Sequence, residues 1–298
     1  MPRAIDIHVH APYERRQAVA GAGSRLAQIA EAAQTHFRSG PVPKSVEEMA
    51  AYYAERDIFG VLLAENWEST SGIPPISNDF IAGVVRSYSS QFIGFCSVDP
   101  WQGRKAVDEV RRSAEELGLR GVKFHPSLQE FFPSDPRVRP IFEECARLKM
   151  PVLIHTGMTG FGAGMPGGAG MRTKYCAPIP YIDDLAADIP ELTIIMAHPA
   201  FPWVDEQIAV LMQKGNVFMD ISGWSPKYFQ PQLIQYANTL LQDKVMFGSD
   251  FPQITPDRWL GDFAAAPFRD EVREKILWKN ANRILGLGLD VSQLLEPI

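Results

Sequence analysis

Residues 4–10 read AIDIHVH, an apolar run that closes on two histidines, His8 and His10. The pattern recurs downstream. GVKFHP (121–126) carries His125, VLIHTG (152–157) carries His155, and IIMAHP (194–199) carries His198. VMFGSDFP (245–252) ends the series on an acid, Asp250. Short, nearly continuous apolar runs of this kind read as parallel strands buried on both faces. Polar groups gathered at the C-terminal ends of such strands are what a closed α/β barrel uses for its active site.

Working outward from these runs, strands are expected near 4–9, 60–64, 92–98, 120–125, 151–156, 193–198, 216–221 and 244–249. Helical patterns separate them. Ser45 with Glu48 forms a capping box ahead of a helix through Arg56. Further helices are expected over 106–117, ended by Gly118, and over 138–149, 179–188, 204–214, 231–242 and 270–285. Eight strands alternating with helices predict an α/β protein, a single (β/α)8 TIM barrel occupying residues 1–298 as one domain. Two segments exceed what a minimal barrel needs. Residues 11–44 follow the first strand, and the glycine-rich stretch 157–178 follows the fifth. Both leave the C-terminal ends of strands, where long loops serve as lids or substrate walls. The glycine-rich stretch does not match a Walker pattern.

The residue types at the strand ends define a chemistry. Side chains two apart on a strand share a face, so His8 and His10 point the same way, and Asp6 shares their parity. Neutral imidazoles with one carboxylate suit a borderline divalent ion such as zinc. His8, His10 and His155 would hold the ion, with Asp250 as a further ligand or as the group that orients water and takes its proton. His198 would polarise a substrate or carry a proton. Asp6 is either a partner fixing a histidine tautomer or a structural group low in the barrel. His36 lies in the 11–44 segment, outside the pattern, and reads as a surface or lid residue.

Composition removes several classes of function. The chain has 298 residues, and a formal charge of −6 leaves no basic footprint for nucleic acid. No apolar stretch approaches the roughly 20 residues of a membrane span. Three cysteines, Cys96, Cys145 and Cys176, lie far apart with no CxxC. That spacing argues for a reducing compartment, and Cys96 reads as a core residue. With no signal-like N-terminus, a cytoplasmic location is expected.

These motifs together resemble the amidohydrolase superfamily. The stretches SNDFIAGVVRSYSSQFIGFCSVDP, GLRGVKFHPSLQEFFPSDP, ELTIIMAHP and KNANRILGL are similar to its amidohydrolase-related branch, which includes aminocarboxymuconate-semialdehyde decarboxylase, resorcylate-type decarboxylases and many hydrolases. The resemblance covers essentially the whole chain. It implies a mononuclear zinc or manganese site on His8, His10, His155 and Asp250, with His198 as the catalytic acid/base, and a homo-oligomeric assembly. The chain departs from the branch's decarboxylases at Lys123 and His125, which share a face of strand 4. Lys123 has three readings: a cation facing an anionic substrate group, a carboxylated bridge between two metals as in the VKLYP of dihydroorotases, or a structural ion pair. His125 is a substrate hydrogen-bond partner, an additional proton carrier or a core group.

Two longer stretches, LIHTGMTGFGAGMPGGAGMRTKYCAPIPYIDDLAADIPELTIIMAHP and MDISGWSPKYFQPQLIQYANTLLQDKVMFGSDFP, resemble proteins described as 4-hydroxyphenyl-β-ketoacyl-CoA hydrolases. That resemblance implies a metal-dependent hydrolase that cleaves a carbon–carbon bond of an aromatic β-ketoacyl-CoA. Arg172, Lys174 and Lys227 would then meet CoA phosphates, and Trp224, Tyr228 and Trp203 would stack on the aromatic part. The alternative is metal-dependent, non-oxidative decarboxylation of an aromatic or unsaturated acid, for which the same ligands serve. A catalytically silent scaffold is the remaining reading, which loss of a ligand would favour; none is lost.

Overall fold

A computed structural model describes residues 3–12 and 25–289. Eight short parallel strands follow the chain: β1 (Ala4–Val9), β2 (Ile58–Leu63), β3 (Phe92–Phe95), β4 (Val122–Phe124), β5 (Val152–His155), β6 (Ile194–Ala197), β7 (Val217–Asp220) and β8 (Val245–Met246). β1 to β3 pair in order, as do β4 to β8. Parallel bridges close both seams, Cys96 to Val122 and Val9 to Phe251. Across the second seam the Asp250 amide donates to the His8 carbonyl (3.0 Å) and the His10 amide to the Phe251 carbonyl (2.8 Å). The chain is therefore the (β/α)8 barrel that the alternation predicts.

Two apolar layers hold it. Ile5, Ile7, Val61, Leu63, Phe95, Leu153, Ile195 and Met246 fill the barrel interior, and Trp278 and Ala281 of the C-terminal helical segment join them. Met49, Tyr53, Ile81, Val110, Phe142, Leu185 and Ile208 belong to the layer between sheet and helices, with Ala4, Val9, Val122, Val152 and Val217 facing them. The alternation along each strand separates the two layers.

Most expected helices form, with ends shifted by a few residues. The helix Val46–Glu55 is capped by Ser45, whose hydroxyl accepts from the Glu48 amide (3.1 Å). The reciprocal half of the box is displaced by one residue, since the Glu48 carboxylate accepts from the Lys44 amide (2.8 Å). The segment expected as one helix over 270–285 is two α-helical pieces, Asp270–Glu274 and Asn280–Ile284, joined by a π-turn over Lys275–Lys279. Among the described residues, five α-helices lie outside the expected set: Arg25–Phe37, Asn78–Ser87 and Pro256–Ala265, with the single turns Pro126–Gln129 and Glu68–Ser71. Asn78–Ser87 has a legible cap, Ser77, whose hydroxyl accepts from the Phe80 amide (3.2 Å). Residues 13–24 of the long 11–44 segment lie outside the described residues.

One irregularity matters for function. Asp6 pairs with Gly60, but Val9 pairs with Leu62, so three steps along β1 match two along β2. This β-bulge breaks the period of two. Ile5 and Ile7 point into the barrel, and His8 also reaches the cavity at its C-terminal end. Asp6 does not join it. Its carboxylate instead accepts from the Tyr53 hydroxyl (2.9 Å) of the surrounding helix layer. The shared parity expected for Asp6, His8 and His10 is corrected accordingly. Bulges re-aim side chains in this way beside active sites.

Candidate active site

A cavity of about 650 Å³ opens at the C-terminal ends of the strands, with His8, His10, Lys123, His125, His155, His198 and Asp250 at its base. Both long segments supply its walls, through Ala33, Phe37 and Val42 on one side and Met158, Thr159 and Phe161 on the other. A methyl at Gly160 would lie 2.3 Å from the Phe37 ring, so the two walls meet in close contact. His36 is exposed and does not line the cavity.

Three of the four expected ligands converge. Asp250 Oδ1 lies 3.5 Å from His8 Nε2 and 3.4 Å from His10 Nε2. Atoms bound tetrahedrally at 2.0–2.1 Å are about 3.3 Å apart, so this spacing matches a single ion. Each imidazole is held from behind. His8 Nδ1 lies 3.1 Å from Asp220 Oδ2. His10 Nδ1 lies 2.7 Å from Glu65 Oε1, an ion-pair approach without an aligned N–H···O bond. Carboxylates behind metal-binding histidines leave the other nitrogen's lone pair free for the ion. His155 stands outside this compact trio. Its ring stacks on His125, with centroids 3.9 Å apart and planes 12° apart, and presents an edge to His198 at 4.7 Å. His155 Nε2 is buried with no hydrogen-bond partner among the described residues, an arrangement that favours a ligand supplied from outside the chain.

Charge is concentrated here against the cost of burial. Burial, with Lys123 nearby, holds His8 well below the usual imidazole range. Burial also depresses His125, His155 and His198. At His10 burial works the same way, but the Glu65 and Asp250 carboxylates outweigh it and lift the group to about 9. Burial would raise Asp250, yet the surrounding imidazoles hold it below the ordinary carboxylate value. Lys123 is lowered by burial to about 8, with Asp220 and Asp250 opposing the shift. Its Nζ lies 3.1 Å from His8 Nε2, beside the ligand trio.

His198 and Asp250 both sit in left-handed backbone conformations, at φ +71° and +68°. That region is sparsely populated for residues other than glycine and is concentrated at functional sites. In both cases the chain leaves the strand and turns its side chain over the barrel mouth. Gly223 makes room for His198: its φ is +71°, and a Cβ there would lie 2.6 Å from His198 Nδ1. Gly223→Ala is expected to displace the imidazole and lower kcat about 100-fold. Circular dichroism with steady-state kinetics checks this; an alanine variant with parental kcat would remove the steric role.

Of the expected substrate residues, Lys123, His125 and Trp224 line the cavity, and Trp224 packs on Phe201 at 5.7 Å. Arg172 and Lys174 are exposed and outside the lining, because the 157–178 segment turns its second half away from the cavity. The Lys174 ammonium lies instead over the Tyr175 ring at 5.0 Å. Lys227 pairs with Asp262 at 3.8 Å, and Tyr228 is exposed. Trp203 does not reach the cavity. Sequence reading missed Asp220, Ser222 and Glu65. Asp220 ends the apolar run VFMD and Glu65 follows the run of β2, so the strand-end signal applied to both. Ser222 carries no such signal.

Comparison with known proteins agrees with this architecture. A family model described as amidohydrolase matches residues 5–287. A 2-amino-3-carboxymuconate-6-semialdehyde decarboxylase from Dictyostelium discoideum is 26% identical over 236 residues, covering 70% of this chain and 65% of that protein. The match thus spans just under two thirds of that relative's length. Among solved structures, an uncharacterized TIM-barrel protein from Bordetella bronchiseptica superposes with a TM-score of 0.76 at 25% identity, covering 95% of this chain and 98% of that one. A 5-carboxyvanillate decarboxylase from Novosphingobium aromaticivorans, complexed with manganese and 4-hydroxy-3-methoxy-5-nitrobenzoic acid, gives 0.65 at 16% identity, covering 96% of each chain.

Proposed function

This chain belongs to the amidohydrolase family, and from that premise we propose that it is a metal-dependent decarboxylase acting on an aromatic or unsaturated carboxylic acid. The observation that carries the reading is the trio of His8, His10 and Asp250, with the buried Lys123 ammonium, which this chain has where it departs from the branch's other decarboxylases, 3.1 Å from His8 Nε2. The ammonium supplies a cation where a substrate carboxylate would meet the metal. The relatives support the same choice, since the curated match and the manganese-bound structure are both decarboxylases.

His8, His10 and Asp250 would hold a divalent ion, Zn2+ or Mn2+, with His155 Nε2 turned toward the same cavity. When bound, the ion acts as a Lewis acid that anchors the carboxylate and an adjacent oxygen. His8 Nε2 would be one of the groups that hold the ion, which would leave the Lys123 ammonium to pair with the substrate carboxylate. His125 offers a hydrogen bond to the ring substituent. Phe37, Phe161 and Trp224 exclude water around the ring. His198 delivers a proton to the carbon that carries the carboxylate. The carbon–carbon bond breaks, its electron pair returns to the ring, and carbon dioxide leaves. One proton is consumed per turnover, and solvent restores it to His198.

Cleavage of an aromatic β-ketoacyl-CoA loses support from the cavity. Arg172 and Lys174, which that reading would place on the CoA phosphates, do not line it, and among the described residues Lys44 and Lys123 are the lysines on its wall. Protein loaded with Zn2+ or Mn2+ and assayed on hydroxybenzoates and unsaturated acids is expected to release carbon dioxide. Activity should fall to background on chelation and return with the ion. Acetyl-CoA release from an aromatic β-ketoacyl-CoA, with no carbon dioxide from any acid, would replace this reading by the hydrolytic one.

A further inference from the structure

We propose that Ser222 is a positioning residue that sets the tautomer of His198, tying it to the same carboxylate, Asp220, that holds His8. This rests on the reading of His198 as the proton carrier. The inference comes from accounting for every proton in a buried cluster. Ser222 Oγ lies 2.5 Å from Asp220 Oδ1, 2.8 Å from His198 Nδ1 and 3.1 Å from His8 Nδ1. A hydroxyl has one proton to donate, and a carboxylate only accepts. The shortest of the three contacts therefore takes the serine proton to Asp220. Toward both imidazoles the serine oxygen can act only as an acceptor, so His198 must carry its proton on Nδ1.

The rest of the cluster agrees. The Lys123 ammonium can only donate, and it lies 3.1 Å from His8 Nε2, so that nitrogen accepts and the His8 proton is on Nδ1. The His8 Nδ1–H then faces Asp220 Oδ2 at 3.1 Å. Asp220 Oδ1 also accepts from the amides of Ser222 (2.9 Å) and His198 (3.2 Å), so the carboxylate is anchored to the backbone on both sides of the cavity. Asp220 and Ser222 are both fully buried.

The consequence is chemical. With its proton on Nδ1, His198 turns a bare Nε2 toward the substrate, and any proton it delivers there must first be taken up there. Loss of the serine hydroxyl removes the side-chain acceptor 2.8 Å from Nδ1 and leaves His198 the Ser222 backbone alone, so the Nε2–H tautomer gains population. That tautomer faces the substrate as a donor before any proton uptake and cannot accept the next proton at Nε2.

Nitrogen-15 NMR of histidine-labelled, zinc-loaded protein tests this. In the parent, His198 is expected to show a protonated Nδ1 and an unprotonated Nε2. Ser222→Ala should shift it to Nε2–H or to a mixture and lower kcat about 10- to 100-fold with little change in KM. Ser222→Thr, which keeps the hydroxyl, should restore both. A parental His198 protonated on Nε2 would overturn the proposal, as would Ser222→Ala protein that keeps the Nδ1–H tautomer. The parental measurement needs no variant to fold. The tautomer readout needs no substrate, so it stands or falls separately from decarboxylation.

Discussion

His198→Asn is expected to abolish turnover while leaving metal content unchanged. A positioned proton carrier contributes about 10² to 10⁴ in rate, so kcat should fall by roughly a thousandfold. His198 is outside the trio of His8, His10 and Asp250, whose ligand atoms lie within 4.8 Å of one another. Removing it therefore costs no ligand of that trio. Asparagine can occupy the left-handed backbone that His198 adopts, and its side-chain amide can still donate to Ser222. The fold and the cluster beneath should persist. Metal content by emission spectroscopy, with kcat measured on the same sample, checks the pair of expectations. Parental turnover would remove His198 from the chemistry. Metal loss would make it a ligand instead.

The largest stability effect is expected at Asp6. Its fully buried carboxylate accepts from the Ser249 amide (2.8 Å), the Ser249 hydroxyl (2.5 Å), the Tyr53 hydroxyl (2.9 Å) and the His8 amide (3.2 Å). These bonds tie the bulge of β1 to the segment after β8 and to the helix Val46–Glu55. Burial pushes the carboxyl up to about 6, against hydrogen bonds from Ser249, His8 and Tyr53 that favour its charged form. Asp6→Ala would leave those donors buried without an acceptor, at about 1–3 kcal/mol each before relaxation. With water entering the space, a net loss of about 3–5 kcal/mol is expected. The melting temperature should fall by about 5–8 °C. Thermal unfolding of the metal-free protein measures it. A change below 1 kcal/mol would mean the seam is held by the barrel ladder alone. Because Ser249 adjoins Asp250, metal affinity should weaken as well.

The strand ends were legible because two simple constraints coincide there. A strand buried on both faces must be apolar, so a histidine or aspartate closing such a run stands out. His8, His10, His125, His155, His198 and Asp250 were each found in this way, and the structure brings all six to one cavity. Asp220, which closes the apolar run VFMD, meets the same criterion and is not among the residues the sequence reading singles out. Arg172 was misplaced because charge and loop membership do not say which half of a 22-residue segment faces inward. The helix Arg25–Phe37 falls inside the 11–44 segment, which the sequence reading treats as one long insertion after the first strand.

The sequence by itself determined the barrel, the order of its strands and the set of groups that gather at its mouth. Those follow from periodicity and from the fixed hand of parallel connections, which are local properties of the chain. Only the tertiary structure decided how the groups divide. Strict alternation puts Asp6, His8 and His10 on one face. Asp6, in regular register, keeps the outward face of Ala4 and bonds Tyr53 and Ser249, and the bulge between Asp6 and Val9 turns the two histidines inward to Asp250. Whether a strand bulges depends on the neighbour it pairs with, and which tautomer an imidazole adopts depends on a serine more than 20 residues away along the chain. Neither is written in the spacing of one segment, because both are set by contacts that exist only when the barrel closes.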